Sequence, residues 1–209
     1  MTGGGLRVLP CGESAVLVEL ADLADVLGLY DVLRREGPEG VTELVPASRT
    51  LLVGFDRTVL TQDQVAADLR SRGVEPQVSG DGEEVVVEVR YDGEDLEEVA
   101  SLTGLSSSEV VARHVGGAYV SAFCGFAPGF AYLTGLDPSL RVARRDSPRT
   151  RVPAGAVAIA DEYTAVYPRE SPGGWRIIGH TSTPVWDLAA DPPTLLAPAT
   201  RVRFVQVDR

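Results

Sequence analysis

The chain has 209 residues and sets 30 acidic side chains against 19 basic ones, for a formal net charge of −11. That balance argues against general binding to nucleic acid or to an anionic membrane, and no apolar run approaches the roughly 18 residues of a membrane span. All 19 basic residues are arginine, so no Schiff base, Walker-A lysine or amidase-type catalytic lysine is available. The opening residues lack a basic stretch followed by an apolar one, so a cytoplasmic location is expected. Cys11 and Cys124 lie far apart in the chain, and no structural disulfide is expected. Two His and two Cys, widely scattered, make no metal-ligand spacing.

In chain order, residues 14–20 have strand character. Residues 22–36 carry Leu23, Val26, Leu27, Tyr30 and Leu33 at helical spacing, and Gly37-Pro38 ends that helix. Two strands are predicted over 41–46 and 49–55, then a helix over 61–72 with Thr61 as N-cap and Gly73 as stop. The order β-α-β-β-α predicts a small ferredoxin-like α+β domain over residues 1–80. Residues 79–84 (SGDGEE) are a candidate linker. A strand over 85–91 opens a second unit, where Asp92 is the candidate cap of a helix. The run Ser106 to Glu109 is a capping box for another helix. After Gly116 the pattern is short β runs (156–160, 164–168, 176–180, 201–207) between Gly and Pro turns, which predicts a closed or nearly closed β-barrel over 81–209. The fold class expected for the whole chain is α+β.

Residues 119–175 concentrate Gly, Pro, aromatics and Arg, a composition that suggests a shaped pocket. Gly125-Phe126-Ala127-Pro128-Gly129-Phe130 reads either as a barrel corner or as a pocket lip with Gly N–H groups open to a ligand oxygen. Arg141, Arg144, Arg145, Arg149 and Arg151 form a positive island in an acidic protein, either a solvated loop or an anion site. Arg149 and Arg151, two apart in an extended segment, would point to one face and clamp an anion. His114 ends the capping-box helix and is either a satisfied helix-end residue or a general acid/base. Cys124 reads as a buried small hydrophobe.

The runs GF-x-PGF-x-YL, PR-x-x-VPAG-x-VAIA and YP-x-x-SPGGW-x-IIG, with V-x-YDG-x-DLEEVA over 89–100 and GESAVLVEL near the start, resemble the family called KipI, PxpB (the B subunit of 5-oxoprolinase) or allophanate hydrolase subunit 1. The resemblance covers essentially the whole chain. It implies an N-terminal α+β domain and a C-terminal cyclophilin-like barrel of carboxyltransferase C/D type. It implies two partners: the 5-oxoprolinase C subunit, also called allophanate hydrolase subunit 2, and the 5-oxoprolinase A subunit. With them, ATP and Mg would activate a lactam, 5-oxo-L-proline, for hydrolysis to L-glutamate. His114 and Arg149 are then the expected catalytic residues. Phe126, Pro128, Phe130, Pro153, Tyr167 and Trp175 would form the walls. Gly125, Gly129, Gly173 and Gly174 would give backbone access, and Arg151 and His180 would bind substrate. Other branches resemble a histidine-kinase inhibitor or the carboxyltransferase part of urea carboxylase. Two departures stand out. His180 occupies a position where the family usually has Arg, and Pro198-Ala199-Thr200 stands where Pro-Gly-Asp is common.

Overall fold

The computed structural model describes residues 6–72 and 84–208. The chain divides into two compact units, Met1–Ser79 and Gly80–Arg209. Gly73 and residues 79–83 of the candidate linker lie outside the described residues.

The first unit runs β1 (Arg7–Pro10), β2 (Ala15–Glu19), α1 (Leu23–Glu36), β3 (Val41–Pro46), β4 (Thr50–Phe55) and α2 (Gln62–Ser71). Its sheet has the order β1-β2-β4-β3 with every neighbour antiparallel. The Asp22 side chain accepts from the Asp25 N–H to start α1, and the Gly37 N–H closes it on the Leu33 carbonyl. Thr61 and Gln64 form a reciprocal capping box at α2. Both helices are amphipathic, and Leu29, Leu33, Val65 and Leu69 pack on Val16, Val18, Leu51, Val53 and Phe55. The architecture has one strand more than the sequence reading. Arg7–Pro10 is short and ends on Pro, so it has little local strand signal, and its pairing to β2 defines it.

The second unit contains β5 (Glu84–Val89), α3 (Leu96–Thr103), α4 (Ser107–Val115), β6 (Tyr119–Cys124), β7 (Ala131–Thr134), a 3-10 turn (Pro138–Leu140), β8 (Arg149–Val152), β9 (Ala156–Ala160), β10 (Tyr163–Val166), β11 (Ser171–Gly173), β12 (Arg176–His180) and β13 (Arg201–Gln206). Seven strands form one sheet in the order β12-β9-β10-β7-β6-β13-β5, while β8 and β11 pair separately. Neighbours are antiparallel except β13 and β5, which run parallel. Just beyond β5, Arg90 exchanges two backbone hydrogen bonds of 2.8 Å with His180 on the opposite edge strand. That bridge makes the sheet a nearly closed barrel, consistent with a cyclophilin-like one.

Strand β9 reads Ala-Val-Ala-Ile-Ala and is buried on both faces. Val157 and Ile159 enter the main core with Leu133, Ile178 and Phe204. The three alanines face a second core of Phe130, Tyr167, Trp175 and Ile177. Small side chains on that face leave room for large rings opposite, the interdigitation a dense interior requires.

The capping box from Ser106 to Glu109 starts α4. The cap expected at Asp92 is not there. Asp95 occupies the N-cap position of α3, and its side chain does not cap the helix. Asp92 instead pairs with Arg90 and His180, and Asp95 turns inward to Arg145, in the loop before β8, and to Arg149, at the start of β8.

Candidate functional site: an aromatic slot with one arginine at its rim

The turn joining β6 to β7 brings Phe126 and Phe130 against the loops around β11. With Tyr132, Tyr167 and Trp175 they enclose a slot of about 80 Å³, floored by Gly173 and Gly174 and edged by Arg144. The rings meet edge to face. Phe130 lies 5.1 Å from Tyr167 and 5.6 Å from Trp175, Tyr132 lies 5.6 Å from Trp175, and Phe126 lies 5.2 Å from Phe130. Burial pushes the Tyr167 phenol up, opposed in part by the nearby Trp175 backbone N–H. Gly173 is required here because a Cβ on it would lie 2.3 Å from the Tyr167 hydroxyl oxygen.

Phe126 is the exposed lip. It is 61% exposed and held at φ +67°, the left-handed region that a bulky residue rarely adopts. An exposed aromatic in a costly backbone conformation is the kind of feature retained at a ligand site.

Gly125, Pro128 and Gly129 lie on the other side of the same turn. They line a shallow hollow of about 450 Å³ with Cys124, Trp186 and Thr194. Gly129, at φ +77°, packs so closely that a Cβ would meet Trp186 at 2.5 Å. Pro153 sits in the β8–β9 turn, its carbonyl accepting from the Ala156 N–H, and is not among the residues lining the slot.

The two expected catalytic residues are elsewhere. His114 is 0% exposed. Its Nδ1 is 2.7 Å from the Tyr91 hydroxyl and its Nε2 is 2.9 Å from Thr164 Oγ1. Thr164 has one hydroxyl hydrogen and gives it to the Ala158 carbonyl at 3.1 Å. So Nε2–H donates to Thr164, and Nδ1 accepts from Tyr91. Burial pushes the imidazole down to about 3. His114 is therefore a neutral core residue that no substrate atom reaches in this conformation.

Arg149 grips Asp95 with both arms, at 2.7 and 2.8 Å. Asp95 is 2% exposed, and it also accepts from Arg145 at 2.8 Å and from the Ile177 N–H at 2.8 Å. Burial pushes the Asp95 carboxyl up, but the Arg149 and Ile177 hydrogen bonds and the charges of Arg149 and Arg145 outweigh it and hold the group below its usual value. Arg151 pairs with Glu170 at 2.6 Å. The two arginines thus serve different carboxylates, which removes the clamp expected from their spacing. His180 faces a separate hollow of about 250 Å³ shared with Glu88, Arg90, Thr181 and Ser182, its Nδ1 2.8 Å from Asp92.

Of the expected site residues, the structure brings together Phe126, Phe130, Tyr167, Gly173, Gly174 and Trp175. The sequence reading missed Tyr132 and Arg144 as slot residues, and Asp95 as the arginine anchor. Tyr132 stands inside the quoted GF-x-PGF-x-YL run, and Arg144 inside the arginine island.

A mixed α/β chain with a nearly closed seven-stranded sheet and this slot is a carboxyltransferase domain of the subdomain C and D type, whose family pattern matches residues 6–196. Within that class the chain belongs to the PxpB family, that of the 5-oxoprolinase B subunit. It is 32% identical over 213 residues to the 5-oxoprolinase B subunit of Haemophilus influenzae, covering 96% of this chain and 97% of the relative. It is 50% identical over 113 residues to the 5-oxoprolinase B subunit of Escherichia coli O157:H7, covering 54% of this chain but only 52% of the relative. The crystal structure of TTHA0988 matches at 37% identity and a TM-score of 0.77, over 93% of this chain and 40% of that one. Urea amidolyase of Kluyveromyces lactis shares the fold, at 20% identity and a TM-score of 0.71 over 97% of this chain and 15% of that one. Among the described residues, no helix is long and apolar enough to cross a membrane.

Proposed function

We propose that this chain acts as the B subunit of an ATP-dependent 5-oxoprolinase. Its share of the reaction is to hold the lactam ring of 5-oxo-L-proline in the aromatic slot while the ring amide is activated and opened to L-glutamate. One observation carries this reading beyond family membership: motif residues more than forty positions apart, Phe126 to Trp175, converge on a single slot. At about 80 Å³ the slot is well under the roughly 300–1,000 Å³ of drug-sized ligand pockets. A small ring suits it and a nucleotide does not.

ATP and Mg do not fit the residues of this chain by themselves. There is no P-loop and no lysine, and no group of three or more His, Cys, Asp or Glu among the described residues could hold a metal ion. The nucleotide contacts are assigned to a homologue of the 5-oxoprolinase C subunit (allophanate hydrolase subunit 2), and ring hydrolysis to a homologue of the A subunit. Within this chain His114 and Arg149 are positioning residues. His114 ties α4 to β10 and to Tyr91, and Arg149 ties β8 to the start of α3 through Asp95. The first unit fits a ferredoxin-like domain over 1–80 whose missing edge strand is supplied by β1, with the barrel domain over 81–209.

The test is co-expression with homologues of the A and C subunits. ATP hydrolysis is followed with and without 5-oxo-L-proline, together with L-glutamate formation. ATP turnover that depends on 5-oxo-L-proline and yields glutamate is expected. A verified complex showing no stimulation would overturn the reading. Urea amidolyase of Saccharomyces cerevisiae, 25% identical over 94% of this chain and 13% of its own length, supports a second reading as another amide-processing component, so urea belongs in the same assay. A histidine-kinase inhibitor is the third reading, tested by kinase autophosphorylation with the chain added.

A further inference from the structure

We infer that Arg144 is the anion anchor of the aromatic slot and selects small rings bearing a carboxylate over neutral rings of the same size. The inference rests on the reading above, that the slot binds the substrate ring, and adds which group recognises it.

The arginine island sorts itself by partner. Arg145 is 2.8 Å from Asp95 and 3.2 Å from Glu98. Arg149 is spent on Asp95, and Arg151 on Glu170. Arg176 reaches Glu98 at 3.4 Å and also donates to the Ala143 carbonyl. Arg144 differs. The carboxylate it pairs with, Asp161, is 4.0 Å away, and both side chains are more than half exposed. An exposed pair at that separation contributes little and is readily exchanged.

Arg144 is also placed for the task. Its guanidinium carbon sits 6.0 Å from the Trp175 ring centroid, over the slot. The ring's electron-rich face attracts the cation and limits its freedom before any ligand arrives. The remaining lining of the slot is aromatic or glycine, with no carboxylate. A ligand with an apolar ring and one anionic group would bury the ring against the aromatics and present the anion to a planar fork suited to bidentate pairing. A neutral ring would gain only the stacking.

The test uses the full chain and the assembled complex, titrated calorimetrically with three probes: 5-oxo-L-proline, its carboxylate-free counterpart 2-pyrrolidinone, and cyclopentanecarboxylate. Trp175 fluorescence in a Trp186→Phe background reports whether binding is at the slot. Both anionic rings are expected to bind and to change Trp175 emission, with 2-pyrrolidinone weaker by about 10-fold or more. Arg144→Gln should erase that preference, and Arg144→Lys should restore part of it. In the complex, Arg144→Gln should raise KM for 5-oxo-L-proline by about 10-fold or more while kcat changes far less. If cyclopentanecarboxylate binds through Arg144 and 5-oxo-L-proline does not, the anchor stands and the 5-oxoprolinase reading falls. Binding indifferent to the carboxylate or to Arg144→Gln, or no binding of any probe to chain or complex, overturns the inference.

Discussion

Replacing Asp95 with alanine is expected to cost the second unit about 3 kcal/mol of stability. The carboxylate is 2% exposed and accepts from Arg149 twice, from Arg145 and from the Ile177 N–H. Removing it leaves a buried backbone N–H without its partner, which costs about 1–3 kcal/mol. It also takes the nearest carboxylate, though not the Glu94 contact at 3.6 Å or the Glu98 contact at 3.2 Å, from the Arg149 and Arg145 guanidinium groups. Those are 22% and 31% exposed, so water recovers part of their loss, and the total falls at the low end of the roughly 3–5 kcal/mol for a broken buried pair. Both tryptophans, Trp175 and Trp186, lie in this unit. Their fluorescence in a urea titration therefore follows its unfolding even where the first unit melts separately. With a slope of about 2 kcal/mol per molar urea, the midpoint should fall by about 1.5 M. The effect has a pH signature. The folded carboxyl is held below its ordinary value of 3.8, so its contribution is fully present above that value and is lost as pH falls through the depressed folded value. The gap between wild type and Asp95→Ala should hold from about pH 7 to 5 and narrow below about pH 4. A midpoint shift under about 0.5 M, or a gap undiminished at about pH 3, would refute the role given to Asp95.

Three further outcomes are expected. The His114 imidazole is pushed down to about 3 from 6.5 by burial, so the unfolded chain gains a proton below about pH 6.5 that the folded chain refuses. Folding then loses about 1.4 kcal/mol per pH unit, or about 2 kcal/mol by pH 5. His114→Gln should be less stable than wild type near neutrality yet lose less on acidification, and equal losses in the two proteins would count against a neutral buried His114. Ala199 stands at φ +72°, so Ala199→Gly should relieve about 1 kcal/mol and raise the thermal midpoint by a few degrees; a lower midpoint would show that the turn does not need left-handed freedom. In Gly173→Ala the new Cβ would crowd the hydroxyl of Tyr167, which is itself 2% exposed and has little room to retreat. The assembled enzyme should lose about 10-fold or more in kcat/KM while circular dichroism stays native, and wild-type kinetics would remove Gly173 from the slot.

The parts of the molecule legible in the sequence are those specified by neighbours along the chain. Thr61 with Gln64 and Ser106 with Glu109 are complete signals within four residues, and both helices start there. The Leu and Val spacing of α1 names its buried face for the same reason. Partner choice across the fold is not written locally. Asp92 and Asp95 both precede the same helix, and only the placement of Arg149 and His180 decides which carboxylate turns inward. Of the expected walls, Phe126, Phe130, Tyr167 and Trp175 line the slot while Pro128 and Pro153 do not, because a dense Gly, Pro and aromatic run marks where the chain turns but not which side of the turn each residue faces. The charged residues were not readable, since the five arginines of the island look alike until each acid has found its partner. His114 was ambiguous by nature. The same imidazole is a base in a cleft and a silent donor–acceptor in a core, and burial alone separates the two.

The parallel pairing of β5 with β13 sets an order on how this protein acquires its structure. Val85 meets Val202 and Val89 meets Gln206, so a strand made early in the second unit must wait for nearly all the rest of it to emerge. The first unit's sheet and both its helices are complete by Ser71 and can form while synthesis continues. The barrel cannot close cotranslationally in the same way. Until β13 arrives, β5 is an open edge of Val-rich sequence, available to any strand that finds it first. Such distant pairing slows folding, and in a crowded ribosomal environment it makes this interval the protein's point of greatest exposure to misassociation.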